Sequence, residues 1–374
     1  MSAGRVTCWR GLVCASLLLA GWLFWGAVGT VAAAQEPRFF RIGTAATAGS
    51  FFEIGGVIAS AISSPPGAPH CAHGGGCGVP GLVAVAQTTQ GSQENLRLIN
   101  SGQLESGFAQ ADLAGWAYRG SAMFAGSAPM SQLRALASLF PESLHLVVLA
   151  DSPIKSVADL RNKIVGTGEP GSGTLANSNV VLKAAGLGDD DVLRRNLRPA
   201  QAADELKTGG VDAFFIAGVY PVPAVRELAA AVPIRLVPID GRVAEALKQE
   251  FGFYRDAVIP AGAYPGLDSE TVSVGFAALW LVGADIDADL VFAIAKSLWS
   301  DQTGKMLESL NPAAQRVRLD YALKGLSVPL HPGAERFYRE AGLPVDTAPQ
   351  VGSERNDNAN TGPSDTPHDK EPVK

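Results

Sequence analysis

The sequence predicts an α/β protein of two lobes, each a mixed, mostly parallel sheet with helices on both faces. Three observations carry this. Apolar strands alternate with amphipathic helices along most of the chain, the pattern of βαβ units. Two loops rich in Gly, Ser and Thr, about 120 positions apart, each join a strand to a helix. With 374 residues, 47% hydrophobic and 18% charged, the chain is long enough for two domains. The first loop follows Arg41-Ile42-Gly43 and reads TAATAGSFFEIGGVIASAI. The second follows Lys163-Ile164-Val165 and reads GTGEPGSGTLANSNVVLKAAG. Such loops aim backbone N–H groups and a positive helix end at one point, so the pair suggests two lobes facing one anionic ligand. The net charge of −6 disfavours nucleic acid, which selects a basic face.

Residues 1–34 read as a cleaved signal peptide. Arg5 and Arg10 precede the apolar run GLVCASLLLAGWLFWGAVGTVAAA, which closes on Ala32-Ala33-Ala34. An uncleaved membrane anchor is the rival, since a run of about 20 residues can span a bilayer. The triple alanine favours cleavage and export to the periplasm. Cys71 and Cys77 then remain in PPGAPHCAHGGGCGVPG, where an oxidising compartment favours a disulfide. His70 and His73 complete a possible metal set, but its spacing is tighter than common zinc patterns.

The first lobe takes residues 35–150 and 255–343. FFRIGTA is a strand, and EIGGVIASAI a helix with Ile54, Ile58 and Ile62 on one face. LVAVAQTT is a strand. QGSQENLRLINSG is a helix with Ser92 as cap and Leu96 and Ile99 inward. GFAQ is a short strand before the helix ADLAGWAYRG. RALASLF and LHLVVLADS read as two strands, the second long enough to pass between lobes. TVSVGFAALWLVG returns as a strand, and ADLVFAIAKSLWS and AERFYREAGL close as helices.

The second lobe takes residues 151–254. SVADLRNK is a short helix capped by Ser156, KIVGTG a strand, and GSGTLANSNVVLKAAGL a loop and helix. AADELKTGGVDAFFIAG is helix, turn and strand. VPAVRELAAA, IRLVPI and VAEALKQEF follow as helix, strand and helix. Residues 344–374 are polar, build no core, and read as a disordered tail.

Enzyme signatures are weak. No His sits in a GxSxG or HExxH context, and GSGT lacks the Lys of a P-loop. His145 reads as a structural strand residue and His331 as a helix cap. Neither a cofactor nor a resident metal is expected, and binding without chemistry is the simpler reading.

In the second loop, Gly171 and Gly173 allow close backbone approach, and Ser172 and Thr174 add hydroxyls, a nest suited to carboxylate or phosphate. The plainer alternative is that Thr174 only caps its own helix. In the first loop, Thr44, Thr47 and Ser50 supply hydroxyls and Phe51 and Phe52 an apolar wall. Gln110 ends a strand, where ligands collect in open α/β folds. Tyr220 holds the equivalent place in the second lobe. For both, a buried structural role stays open. Arg97 and Arg198 read as surface charges, so neutral donors would hold the anion.

These blocks resemble the TAXI family of TRAP-transporter solute receptors. The likeness runs from about Phe39 to Leu343 through IGTAATAGSFFEIGGVIA, AVAQTTQGSQENLRLINSGQLESGFAQADLA, VGTGEPGSGT, LKTGGVDAFFIAG, VIPAGAYPG and VPLHPGAERFY. CAHGGGCGVPGLVAVAQ is similar to a cysteine-bearing subgroup. The resemblance implies a two-lobed periplasmic binding protein of the type II, Venus-flytrap kind, a monomer that closes on its solute. It implies delivery to the membrane subunits of a TRAP permease driven by an ion gradient, without ATP. Relatives take small carboxylates such as glutamate or 2-oxoglutarate. Carried over, the contacts fall on Thr44, Ser50, Phe51, Gln110, Ser172, Gly173, Thr174 and Tyr220. Relatives often have Tyr where this chain has Phe51 or Phe52, a difference that bears on which solute fits. The alternative from another class is a periplasmic sensor signalling to a membrane kinase.

Overall fold

Two long strands organise the fold. β6 (Leu133–Leu149) and β12 (Thr271–Gly283) pair antiparallel and run through both halves of one ten-stranded sheet. The computed structural model describes residues 36–68, 78–310 and 312–345. The expected signal peptide, the Cys71–Cys77 pair with His70 and His73, and the tail beyond Val345 lie outside the described residues.

In one half, β4 (Leu82–Gln87), β1 (Arg38–Gly43) and β5 (Ser106–Gln110) pair in parallel, and β12 and then β6 complete the sheet antiparallel. In the other half, β6 pairs with β9 (Ala213–Gly218), followed in parallel by β7 (Ile164–Gly166) and β8 (Leu193–Arg195). β10 (Ile234–Leu236) pairs with the end of β6, and β11 (Arg255–Ile259) with β12. β2 (Ser63–Ser64) and β3 (Val79–Pro80) form a separate small pair. The class is the expected one: two α/β lobes, each with a mixed sheet covered by helices.

RALASLF and LHLVVLADS are one strand, not two. Pro141 and Glu142, which part them in sequence, sit before β9 joins β6 at Ser143. There β6 has a strand neighbour on one side only, a position that tolerates a residue without an N–H.

Alternation along the long strands sorts the core. On β12, Leu279 and Leu281 join a cluster that continues under both halves, while Ala278, Trp280 and Val282 join a second cluster. On β9, Phe215 enters the shared cluster and Phe214 and Ile216 a third. One face therefore carries a common core and the other carries one core per lobe, as period-2 side chains require.

The helices follow the expected order: α1 (Ser50–Ile62), α2 (Ser92–Asn100), α3 (Ala111–Arg119), α4 (Gly173–Ala184), α5 (Pro199–Thr208), α6 (Pro223–Ala231), α7 (Gly241–Glu250), α8 (Ala288–Leu298), α9 (Asp301–Leu310) and α10 (Pro332–Glu340). Ile54, Ile58 and Ile62 of α1 are fully buried, as are Leu96 and Ile99 of α2. SVADLRNK is a single 3-10 turn with the capping box of Ser156 and Asp159. Ser92 does not cap α2: Gly91 is the N-cap, and the Ser92 hydroxyl accepts from the Gln110 N–H at 3.2 Å.

His145 is structural. Its Nδ1 donates to the Ser143 carbonyl at 3.0 Å, and the Tyr264 hydroxyl reaches its Nε2 at 2.9 Å. Burial pushes it down to about 4, so it stays neutral. His331 caps α10, its Nδ1 accepting from the Gly333 N–H at 3.2 Å.

Candidate functional site

The gap where β6 crosses between half-sheets opens into a cavity of about 60 Å³. Its walls come from the starts of helices. Gly49, Ser50 and Phe51 begin α1, and Gly91 and Ser92 begin α2. Ser172, Gly173 and Thr174 begin α4, Pro199 begins α5, and Gln110 is the N-cap of α3. Each start leaves N–H groups without intrahelical acceptors and carries the positive end of the helix dipole. Glu142 from β6 and Phe215, Ile216 and Ala217 from β9 complete the cavity, with Leu197 and Ala202 adding apolar wall.

The two sides of this cavity are tied together. The Gln93 N–H donates to the Gly171 carbonyl at 3.0 Å, and Gln93 Nε2 to the Ser172 carbonyl at 3.1 Å. Deeper, Asn177 Nδ2 on α4 donates to Asp112 Oδ2 on α3 at 2.8 Å, and the Tyr254 hydroxyl donates to the same oxygen at 3.0 Å. Asp112 is fully buried and pushed up to about 6 by burial, although its neighbours' hydrogen bonds favour the carboxylate.

Six of the eight expected contacts line the cavity: Ser50, Phe51, Gln110, Ser172, Gly173 and Thr174. Phe51 does two jobs, facing the cavity while packing edge-on against Phe108 and Phe140. Phe52 is only half-buried and does not line it. Gly173 is required by proximity, since a Cβ there would lie 2.1 Å from Gln110 Oε1. Gly171 adopts a φ of +88°, which favours glycine.

The hydroxyls divide the work differently from the sequence reading. Ser172 is the N-cap of α4: its Oγ accepts from the Leu175 N–H at 3.1 Å and donates to the Glu169 carbonyl at 2.7 Å. Thr174 Oγ1 accepts from the Ala217 N–H at 3.1 Å, and its own hydrogen is left for the cavity.

Thr44 and Tyr220 do not line this cavity. Thr44 is fully buried; its hydroxyl donates to the Gln87 carbonyl at 2.7 Å, fixing the residue after β1 to the end of β4. Tyr220 lines a neighbouring cavity of about 510 Å³, with its ring 3.9 Å beneath the Arg316 guanidinium. Arg97 is exposed, and Arg198 pairs with Glu169 at 2.9 Å from a mostly exposed side chain. Among the described residues, no Lys or Arg lines the smaller cavity.

Sequence reasoning missed Glu142. It is 2% exposed, sits in the wall between the two cavities, and takes a hydrogen bond from the Gln110 side chain. Among the described residues, neither its Oε2 nor Gln110 Oε1 has a partner. Burial, then the charge of Asp112, pushes Glu142 up to about 8. The available signal was a lone Pro-Glu pair inside an otherwise apolar β segment.

A protein-family model described as the NMT1-like family matches residues 42–342. Among solved structures, the periplasmic aliphatic sulphonate binding protein SsuA from Escherichia coli is 18% identical, covering 81% of this chain and 84% of that chain, with a TM-score of 0.41. An ancestral arginine-binding protein bound to arginine is 18% identical over 73% of this chain and 97% of that chain, at 0.42. XAC2383 from Xanthomonas citri, bound to ATP, is 11% identical over 80% and 98%, at 0.44.

Proposed function

The chain belongs to the NMT1-like family, and from that membership and its cavity we propose that it is an extracytoplasmic solute receptor. It captures a small carboxylate, an amino acid or an oxo or dicarboxylic acid, between two lobes made of residues 35–150 with 255–343 and of residues 151–254. The finer assignment is the TAXI type, with delivery to an ion-gradient-driven TRAP permease, and it rests on the loop and block resemblance alone. The sequence of residues 1–34, read as a cleaved signal peptide, supports a periplasmic location.

One observation carries the reading: five helix starts converge on one small cavity between the half-sheets. An anion placed there meets aligned N–H donors and dipole ends without needing a cation from the protein. Gly173, Thr174 and the Thr174 hydroxyl are the donors we assign to the carboxylate. Phe51, Leu197, Ala202, Phe215 and Ile216 would enclose its apolar part. Bridging contacts such as Gln93 to Gly171 belong to the closed arrangement, which a ligand favours only by binding it better than the open one.

The test is thermal unfolding of the purified protein, stripped of co-purified ligand, against amino acids, oxo acids and dicarboxylates. A ligand at about a hundred times its Kd adds roughly 2.7 kcal/mol, a clear rise in Tm. Absence of a rise across the whole panel refutes the carboxylate assignment.

A further inference from the structure

Two buried carboxylates, Glu142 and Glu169, line the cavity and a third, Asp112, is buried close to Glu142; the three are not equivalent. Asp112 is satisfied by the Asn177 amide, the Tyr254 hydroxyl and the Leu113 N–H. Glu169 is paired with Arg198. Glu142 has only the Gln110 amide, and its Oε2 is left without a donor. Beside it, Gln110 Oε1 is a second acceptor without a donor, and Gln110 is 3% exposed. Arg255, Arg316 and Lys324 line the neighbouring cavity, yet among the described residues none holds Glu142 in an ion pair. Buried acceptors are nearly always satisfied, and a buried carboxylate needs a cation as well as donors.

We propose that the solute supplies that cation: Glu142 Oε2 and Gln110 Oε1 receive the protonated amine of an α-amino acid whose carboxylate rests on the start of α4. The inference rests on the cavity being the solute site. An ammonium group carries three donors and no acceptor, which matches two adjacent orphan acceptors. A 2-oxo acid offers a carbonyl oxygen at the same place, which a protonated Glu142 can meet with its one O–H but which gives Gln110 Oε1 no donor. A plain dicarboxylate offers a methylene, which satisfies neither acceptor. The dipole ends and Glu142 thus divide the cavity by sign, and a zwitterion is complementary to both parts. Positive helix ends alone select for an anion; Glu142 is the group that selects among anions.

The experiment is calorimetric titration of the purified protein with matched triads: L-glutamate, 2-oxoglutarate and glutarate; L-alanine, pyruvate and propionate; L-leucine, 2-oxoisocaproate and isocaproate. At least one amino acid is expected to bind at least tenfold more tightly than both of its counterparts. Glu142→Gln keeps the shape and removes the ability to give up a proton and face the ammonium as a carboxylate, so it should erase that preference. An oxo acid or des-amino acid that binds as tightly as its amino acid overturns the inference and leaves the receptor reading intact. An unchanged preference in a folded Glu142→Gln protein also overturns it. Silence from all nine compounds removes the carboxylate reading and this inference together. If the variant does not fold, the wild-type comparison within each triad decides.

Discussion

Gly173→Ala puts one methyl group where the two sides of the cavity meet. The added Cβ would stand 2.1 Å from Oε1, 2.4 Å from Cδ and 2.7 Å from Nε2 of Gln110. Ordinary carbon contacts begin near 3.5 Å, so the amide has to retreat by about 1 Å or the lobes have to part. Retreat takes Gln110 off Glu142, and leaving a buried polar group unsatisfied costs about 1–3 kcal/mol. Parting forfeits the Gln93 bonds to Gly171 and Ser172 instead. Either route lowers affinity about ten- to a hundredfold, at 1.4 kcal/mol per factor of ten. The helix itself gains, because Ala is the better helix former. The assay is calorimetric titration of wild type and variant with the solute that raises Tm, alongside denaturant unfolding. Tight binding within twofold of wild type, with stability unchanged, would refute the close-approach argument.

Glu142→Gln should stabilise the ligand-free protein in a pH-dependent way. Glu142 is held above its ordinary 4.5 at about 8 by burial and by Asp112, with Gln110 opposing and Tyr321 close by. Because the folded state keeps the proton longer than the unfolded one, wild-type stability falls as pH rises from about 4.5 to about 8. The variant escapes this, so the stability gap opens over that window by a few kcal/mol, at about 1.36 kcal/mol per pH unit, and is flat above it. A gap that does not change between pH 4.5 and 8 contradicts the buried-charge account. The neighbouring glycines of α1 should respond oppositely. Gly56→Ala meets nothing within 4 Å and should stabilise by about 0.5–1 kcal/mol, while Gly55→Ala drives a Cβ to 2.5 Å from the Thr44 side chain and should destabilise. Urea unfolding of both variants checks the pair. Tyr254→Phe removes one donor from Asp112 and should cost about 1–3 kcal/mol, read in the same way.

Much of this architecture is legible in residue patterns, and its gaps have physical causes. The strand–loop–helix units at Gly43 and Val165 announce themselves because an apolar run, small hydroxyl residues and an amphipathic run each carry a distinct signal. β8 and β11 do not: Leu193-Arg194-Arg195 and Arg255-Asp256 are charged, largely exposed stretches held by a ladder at one edge. α9 hides in DQTGKMLESL, where Gly304 and the polar residues blur the helical period. β6 reads as two strands because Pro141 and Glu142 look like a turn until tertiary pairing with β12 carries the strand through. At the site, loop composition points to Ser50, Phe51 and the Ser172–Thr174 segment. It cannot tell that Ser172 spends its hydroxyl on its own turn, since that depends on Glu169 and Leu175 lying in reach. Thr44 stands outside the cavity for a similar reason: the end of β4 takes its hydroxyl. Glu142 escapes notice because its meaning comes from what surrounds it, Gln110 and Asp112 from distant strand and helix ends.

A crystal structure of the protein with the solute that raises its Tm decides where that solute sits. Its carboxylate should lie within hydrogen-bond distance of the Gly173 and Thr174 N–H groups, enclosed by Phe51 and Phe215. A solute seated elsewhere, above all beside Arg316 in the larger cavity with the start of α4 vacant, would contradict it.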